Sequence, residues 1–177
     1  MKQKKDLLKT LFIILIFLLT PFQIEAAVLY FLPQSTTIYE GDSFVVQVRI
    51  DTENEEINAI GGEINFPQDL LKILDLSKGG SVLKLWRKTP SVENGKISFI
   101  GGTPKAFKGQ GEILKIVFLA EKLGRAKINF EKDSKVLLAD GRGTEAKVLF
   151  LEGNYEIVEK SKELPVISSK THPDQTK

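Results

Sequence analysis

The side chains that ordinarily carry out chemistry are few in this chain and poorly spaced for it. Its 177 residues include no cysteine and one histidine, His172, placed beside Pro173 close to the C-terminal end. Nucleophilic catalysis needs a serine, threonine or cysteine with a base next to it, so a Ser-His or Cys-His arrangement has nothing to build on. Zinc sites draw on clusters of His and Cys, and these are missing too. Carboxylates are plentiful, and a pair flanking a sugar linkage is glycosidase chemistry. They concentrate, however, in runs such as Asp51, Glu53, Glu55 and Glu56, where solvated charge accounts for them. Asp133, Asp140 and nearby carbonyls are of the type that holds calcium, but EF-hand spacing is absent, and Asp140-Gly141 also suits an ordinary turn. The expectation is no catalytic group, no metal and no cofactor. Trp86, the one tryptophan, is the most informative side chain. Parity along Leu83–Lys88 puts Leu83, Leu85 and the stem of Arg87 on one face, and Lys84, Trp86 and Lys88 on the other. An outward aromatic is an anchor for a protein or for sugar rings; burial under a neighbouring loop is the alternative.

The elements that would position such a side chain are strands. Phe44, Val46, Val48 and Ile50 share one parity, and Ile60, Gly62, Ile64 and Phe66 share another, with the acidic stretch 51–56 between the two runs. Alternation with a period of two marks strands with one buried face, and apolar sheet faces need a second layer to cover them. Further short runs follow at 28–32, 71–76, 83–88, 96–100, 112–120, 126–130, 146–151 and 155–158. Asn94-Gly95 is a hairpin signal of the type I′ kind. Pro90 closes the run at 83–88, Gly101-Gly102 closes the run at 96–100, and 131–145 reads as loop. Turn signals at this spacing, with no helical period, predict an all-β, nine-stranded antiparallel β-sandwich.

The two ends differ from the middle. Residues 1–26 read as a secretory signal: Lys2, Lys4, Lys5 and Lys9, then the apolar run Leu11–Leu19, then Pro21 and small residues at Ala26-Ala27. The run is short against the roughly 20 residues that cross a bilayer, so membrane contact is expected only through this segment. Of 25 basic and 23 acidic residues, four and two fall within it, leaving 21 of each sign. A chain without basic excess has little to offer phosphates, which argues against nucleic acid as a partner. Residues 27–158 form the expected domain, and without disulfides its core alone must stabilise it. Residues 159–177, with Pro165, Pro173 and many Ser, Thr and Lys, read as a polar tail or linker.

Several stretches carry a resemblance. They are Glu40–Ile50, Asn58–Pro67, Leu70–Leu74 and Gly95–Ile100, followed by Gly111–Ala120 with Gly124 behind it. Their order resembles the cohesin family of β-sandwich modules, and Gly111–Ala120 is similar to the family's G-x-L-x-x-I-x-F strand. The resemblance spans 27–158. It implies a nine-stranded sandwich related in shape to carbohydrate-binding modules, no catalysis, and docking of a dockerin-like protein module outside the cell, secreted or at the cell surface, in polysaccharide-binding or polysaccharide-degrading machinery. It further implies that the docking surface lies on the sheet containing Glu63, Trp86, Ser98 and Asn129. Outward parity there gives Ala59, Gly61, Glu63, Asn65, Trp86, Ser98, Lys127 and Asn129, a flat surface with polar edges. A module that binds polysaccharide directly, with Trp86 stacking on sugar, and a structural domain of a bacterial surface protein are the competing readings.

Overall fold

A computed structural model describes residues 26–160, and every regular element among them is a strand. In chain order these are β1 (Ala27–Leu32), β2 (Ser35–Tyr39), β3 (Ser43–Asp51), β4 (Ile57–Asn65), β5 (Leu71–Ser77) and β6 (Leu85–Glu93). There follow β7 (Lys96–Phe107), β8 (Gln110–Ala120), β9 (Gly124–Phe130), β10 (Lys135–Leu138), β11 (Val148–Phe150) and β12 (Gly153–Val158). One sheet has the order β11-β1-β3-β8-β5, and the other β2-β12-β9-β4-β7-β6, with β10 also on β4. The stretch read as a secretory signal, up to residue 25, and the stretch read as a tail, beyond Lys160, lie outside the described residues.

The all-β sandwich expected from alternation is the observed architecture, with twelve strands in place of nine. Two short strands fall where the sequence reading placed no strand. Residues 35–39 pair in parallel with β12, and 135–138 pair with β4 inside the stretch read as loop. The two strongest alternating runs, β3 and β4, lie in opposite sheets and face each other across the core. Val46, Val48 and Ile50 point inward from one side, and Ile60 and Ile64 from the other, all fully buried. Leu114, Ile116 and Phe118 of β8 and Ile97 and Phe99 of β7 complete the layer. Phe31 stacks on Phe130 with ring centroids 4.7 Å apart. Each such side chain contributes about 1.5–3 kcal/mol by leaving water, which is how a sandwich without disulfides is held.

Two expected breaks are not breaks. β7 runs through Gly101-Gly102 to Phe107. The glycines suit close approach: a Cβ on Gly101 would sit a tight 3.1 Å from Leu83 and Trp86 side-chain atoms, and one on Gly102 would sit 3.1 Å from the Asn58 carbonyl oxygen. β6 runs through Pro90 to Glu93. It is an edge strand with register shifts on either side of Lys88, so the ladder can spare the missing N–H. The Asn94-Gly95 hairpin is as expected, with φ of +48° and +74°.

Candidate docking face

The outer face of the sheet centred on β4 is built from alternation on four neighbouring strands. Ile60, Gly62 and Ile64 point into the core, which turns Ala59, Gly61, Glu63 and Asn65 outward. On β7, Ile97 and Phe99 point in, and Ser98 and Ile100 point out. Registers align these side chains in rows across the sheet. Leu137, Ala59, Gly102 and Leu85 form one row; Lys135, Gly61, Ile100 and Lys88 form the next. Glu63, Ser98 and Ser91 follow, and then Asn129, Asn65, Lys96 and Glu93. At their middle the first two rows are apolar, and Ala59, Gly61 and Gly102 there are small. Ile100 and Leu85 stay 42% and 59% exposed beside them. A depression of about 270 Å³ results, lined by Ala59, Gly61, Glu63, Ser98, Ile100 and Leu137, with Lys88, Lys135 and Asp133 at its rim.

The charges in and around the depression are partly paired. Lys96 donates to Glu63 at 2.9 Å, and that carboxylate holds the ammonium above its ordinary range. Lys135 donates to Glu145, with the same upward effect on the lysine. Asn65 donates to Glu131. Lys88 makes no ion pair among the described residues. Asp140 accepts from the Arg142 N–H at 2.9 Å and from the Thr144 hydroxyl, which lowers its pKa and gives it the turn role. Among the described residues no group of three or more His, Cys, Asp and Glu is placed to hold a metal.

Of the eight residues expected on this face, Ala59, Gly61, Glu63 and Ser98 meet at the depression, and Asn65 and Asn129 pair at its end. Lys127 lies on the same outer surface but in a neighbouring groove of about 330 Å³, with Thr37, Arg125, Asn154 and Glu156. It donates to Glu152 at 2.7 Å, which lowers that acid's pKa.

Trp86 departs from the expected orientation. It pairs with the inward-facing Gly101, meets the Phe99 ring edge-on at 6.4 Å, and is half-buried against the core. Its exposed side is covered by the Lys78 ammonium, 5.5 Å from the ring centroid. The reason is a bulge: Arg87 is an extra residue between the pairs Trp86–Gly101 and Lys88–Ile100. It reverses the parity, so Leu85 and Lys88 face outward and Trp86 inward. Sequence parity therefore missed Leu85. It missed Lys135 and Leu137 because β10 read as loop. Ile100 was accessible to the same alternation that placed Ser98.

No family model matches the chain, and no curated protein matches it. Solved structures do. A non-cellulosomal cohesin from the archaeon Archaeoglobus fulgidus is 18% identical, with a TM-score of 0.61 over 76% of this chain and 91% of that one. The third ScaB cohesin of R. flavefaciens, solved in complex with a group 1 dockerin, is 13% identical, with a TM-score of 0.62 over 79% of this chain and all of that one. A cohesin module from a Clostridium perfringens family 33 glycoside hydrolase is 10% identical, with a TM-score of 0.62 over 77% of this chain and all of that one. At these identities the likeness is one of fold: residues 26–160 have the cohesin-type β-sandwich.

Proposed function

We propose that this chain is an exported, non-catalytic docking module that receives a dockerin-like protein on the outer face of β4, β6, β7 and β10, within extracellular polysaccharide-binding or polysaccharide-degrading machinery. The observation that carries this reading is the depression over Gly61. It has an apolar floor of small residues, the exposed aliphatic side chain of Ile100 and a charged rim, which is the anatomy of a protein interface with an apolar centre and a polar border. The cohesin-type fold supports it, since several neighbours of that fold were solved with dockerins bound. The signal-like start supports export. A module that stacks sugar on Trp86 finds less support, because that ring lies against Phe99 and under Lys78.

Gly61 provides the test. A Cβ there meets only the Ile100 Cγ1, at an ordinary 3.8 Å, so Gly61→Val fills the depression and leaves the core alone. Dockerin modules encoded in the same genome, purified and titrated against the chain by calorimetry, are expected to include a binder. Gly61→Val is expected to weaken that binder by at least about 100-fold, equivalent to about 2.8 kcal/mol, with unchanged melting. Binding indifferent to Gly61→Val, or no binder among those modules together with binding to polysaccharide, would sink the proposal.

A further inference from the structure

β5 is the last strand of one sheet and β6 the last strand of the other, so the sandwich has an open side where these two edges run past each other. A groove of about 340 Å³ lies there, lined by Phe66, Leu71, Ile73 and Val92, with Gln68, Lys72 and Glu121 as its polar members. Its floor is core: Leu71 is 1% exposed, and Phe66 meets the buried Phe118 ring at 5.5 Å. Its wall is Val92, which remains 44% exposed. Apolar surface of this kind gains stability from a cover that removes it from water. The backbone edge of β5 is unpaired on the groove side, and such an edge is a template for an extended segment. Lys72 and Glu121 make no ion pair among the described residues. The groove shares no residue with the depression over Gly61.

The course of the chain after β12 points to what fills it. The Glu40 N–H donates to the Val158 carbonyl, and the Lys160 ammonium lies 3.5 Å from Asp42 and 5.8 Å from the centre of the Tyr39 ring. The Asp42 carbonyl accepts from the Ala120 N–H, and Ala120 is the register partner of Leu71. From Asp42 to β5 is therefore two inter-strand steps, roughly 10 Å. The sequence beyond Lys160 is Ser161-Lys162-Glu163-Leu164-Pro165-Val166-Ile167, and Leu164–Ile167 is its one apolar run before Lys177. Four residues from Lys160 reach about 13 Å and seven about 23 Å, so this run comes level with Leu71–Ile73. Lys162 and Glu163, just ahead of it, have signs opposite to Glu121 and Lys72. Pro165 is no obstacle, because proline is tolerated on an edge strand. We infer that Leu164–Ile167 of this same chain closes the groove, lying extended along β5 with its aliphatic side chains over Phe66, Leu71 and Val92. The segment thus covers the open side of the sandwich and directs the chain beyond it along the β5 edge.

The absence of cysteine makes the test direct, since Ser169→Cys gives a single attachment point for a nitroxide label. Methyl NMR spectra of the whole chain carrying that label are compared before and after reduction of the nitroxide, whose broadening falls off steeply with distance. Ile73 and Val92 are expected to lose most of their signal, and Leu149 and Leu137, elsewhere on the sandwich, to keep theirs. Adding Val166→Asp and Ile167→Asp to the labelled chain is expected to restore Ile73 and Val92. A mixture of isotope-labelled chain without nitroxide and nitroxide-labelled chain without isotope is expected to show no loss. Loss in that mixture would mean that the segment of a second copy fills the groove, and would overturn the intramolecular assignment. Equal loss at all the methyl groups, no loss at Ile73 and Val92, or loss that survives the two aspartates would overturn the inference altogether.

Discussion

Gly61 and Gly62 are adjacent on β4 and point to opposite sides of the sheet, so one hydrogen atom has two different jobs. At Gly61 it leaves the outer depression open, and an added methyl has room. At Gly62 an added Cβ would lie 2.3 Å from the Phe99 ring. That ring is 1% exposed and locked against Trp86, so it has little freedom to retreat. Overpacking of a filled core costs about 1–3 kcal/mol. Gly62→Ala is therefore expected to lower the melting temperature by roughly 3–10 °C, and Gly61→Ala to leave it nearly unchanged. A calorimetric scan of the two variants checks this, and equal melting temperatures would contradict the assigned faces. Alternation alone separated these two glycines, since it put Ile60 and Ile64 on the side of Gly62. It failed at Trp86 because one bulged residue reverses parity and leaves no mark in composition: Arg87 looks like any outward arginine until its partner strand is known.

The element whose role was least visible in the sequence is β10. Lys135–Leu138 is four residues long and follows a polar turn, and its pairing partner β4 lies more than 70 residues earlier. No local signal records such a pairing. Its placement follows from a gap. β9 pairs with β4 at Ile64 and Asn65, and β10 pairs with it from Ile57 to Gly61, which leaves the edge groups of Glu63 between them. The turn 131–134 fills that interval. The Glu131 N–H donates to the Glu63 carbonyl at 2.7 Å. The Ser134 hydroxyl accepts from the Glu63 N–H at 3.0 Å and donates to the same carbonyl at 3.2 Å. Ser134 is 5% exposed, so water cannot readily take its place. Ser134→Ala leaves a nearly buried N–H unpaired, at a cost of about 1–3 kcal/mol. Amide hydrogen exchange is expected to speed up along β10 and the N-terminal half of β4, and to stay unchanged in β3 and β8 of the other sheet. Uniform loss of protection across both sheets would mean that Ser134 acts on the whole fold and not on this junction. Because β10 carries Lys135 and Leu137, loosening it would also blunt the depression without touching its floor.

At the scale of the molecule, two kinds of titrating group respond to pH in opposite directions, and they can be told apart by salt. Asp140 and Glu152 are held below the ordinary carboxylate range, Asp140 first by the Thr144 hydroxyl and Glu152 first by Lys127. Lowered acids contribute stability above their unfolded values that is lost as pH falls through the folded ones. These groups lie at the surface, so added salt should screen the ion-paired part of the acid loss. Tyr155 is the contrasting case. It is 1% exposed, its hydroxyl donates to the Pro33 carbonyl at 2.7 Å, and burial pushes its ionisation upward. The phenol is therefore protonated in the folded chain at a pH where the unfolded chain has begun to lose its proton, near about 10. Stability from this group is complete below that pH. Above it, stability falls by up to about 1.4 kcal/mol per pH unit as pH rises toward the folded value. Lys96 and Lys135, raised by Glu63 and Glu145, lose their smaller contributions in the same alkaline direction, but salt screens them because they are exposed. Tyr155→Phe isolates the buried group. At neutral pH it is expected to cost about 1 kcal/mol for the lost hydrogen bond, plus the orphaned carbonyl. Between about pH 9.5 and 11 the difference between wild type and variant should shrink as the wild type loses its advantage, at 0.1 M and at 1 M salt alike. Urea midpoints measured across that range check the slope. A difference that stays constant with pH, or that disappears in high salt, would show that the alkaline loss comes from the surface lysines and not from the tyrosine that ties β12 to the end of β1.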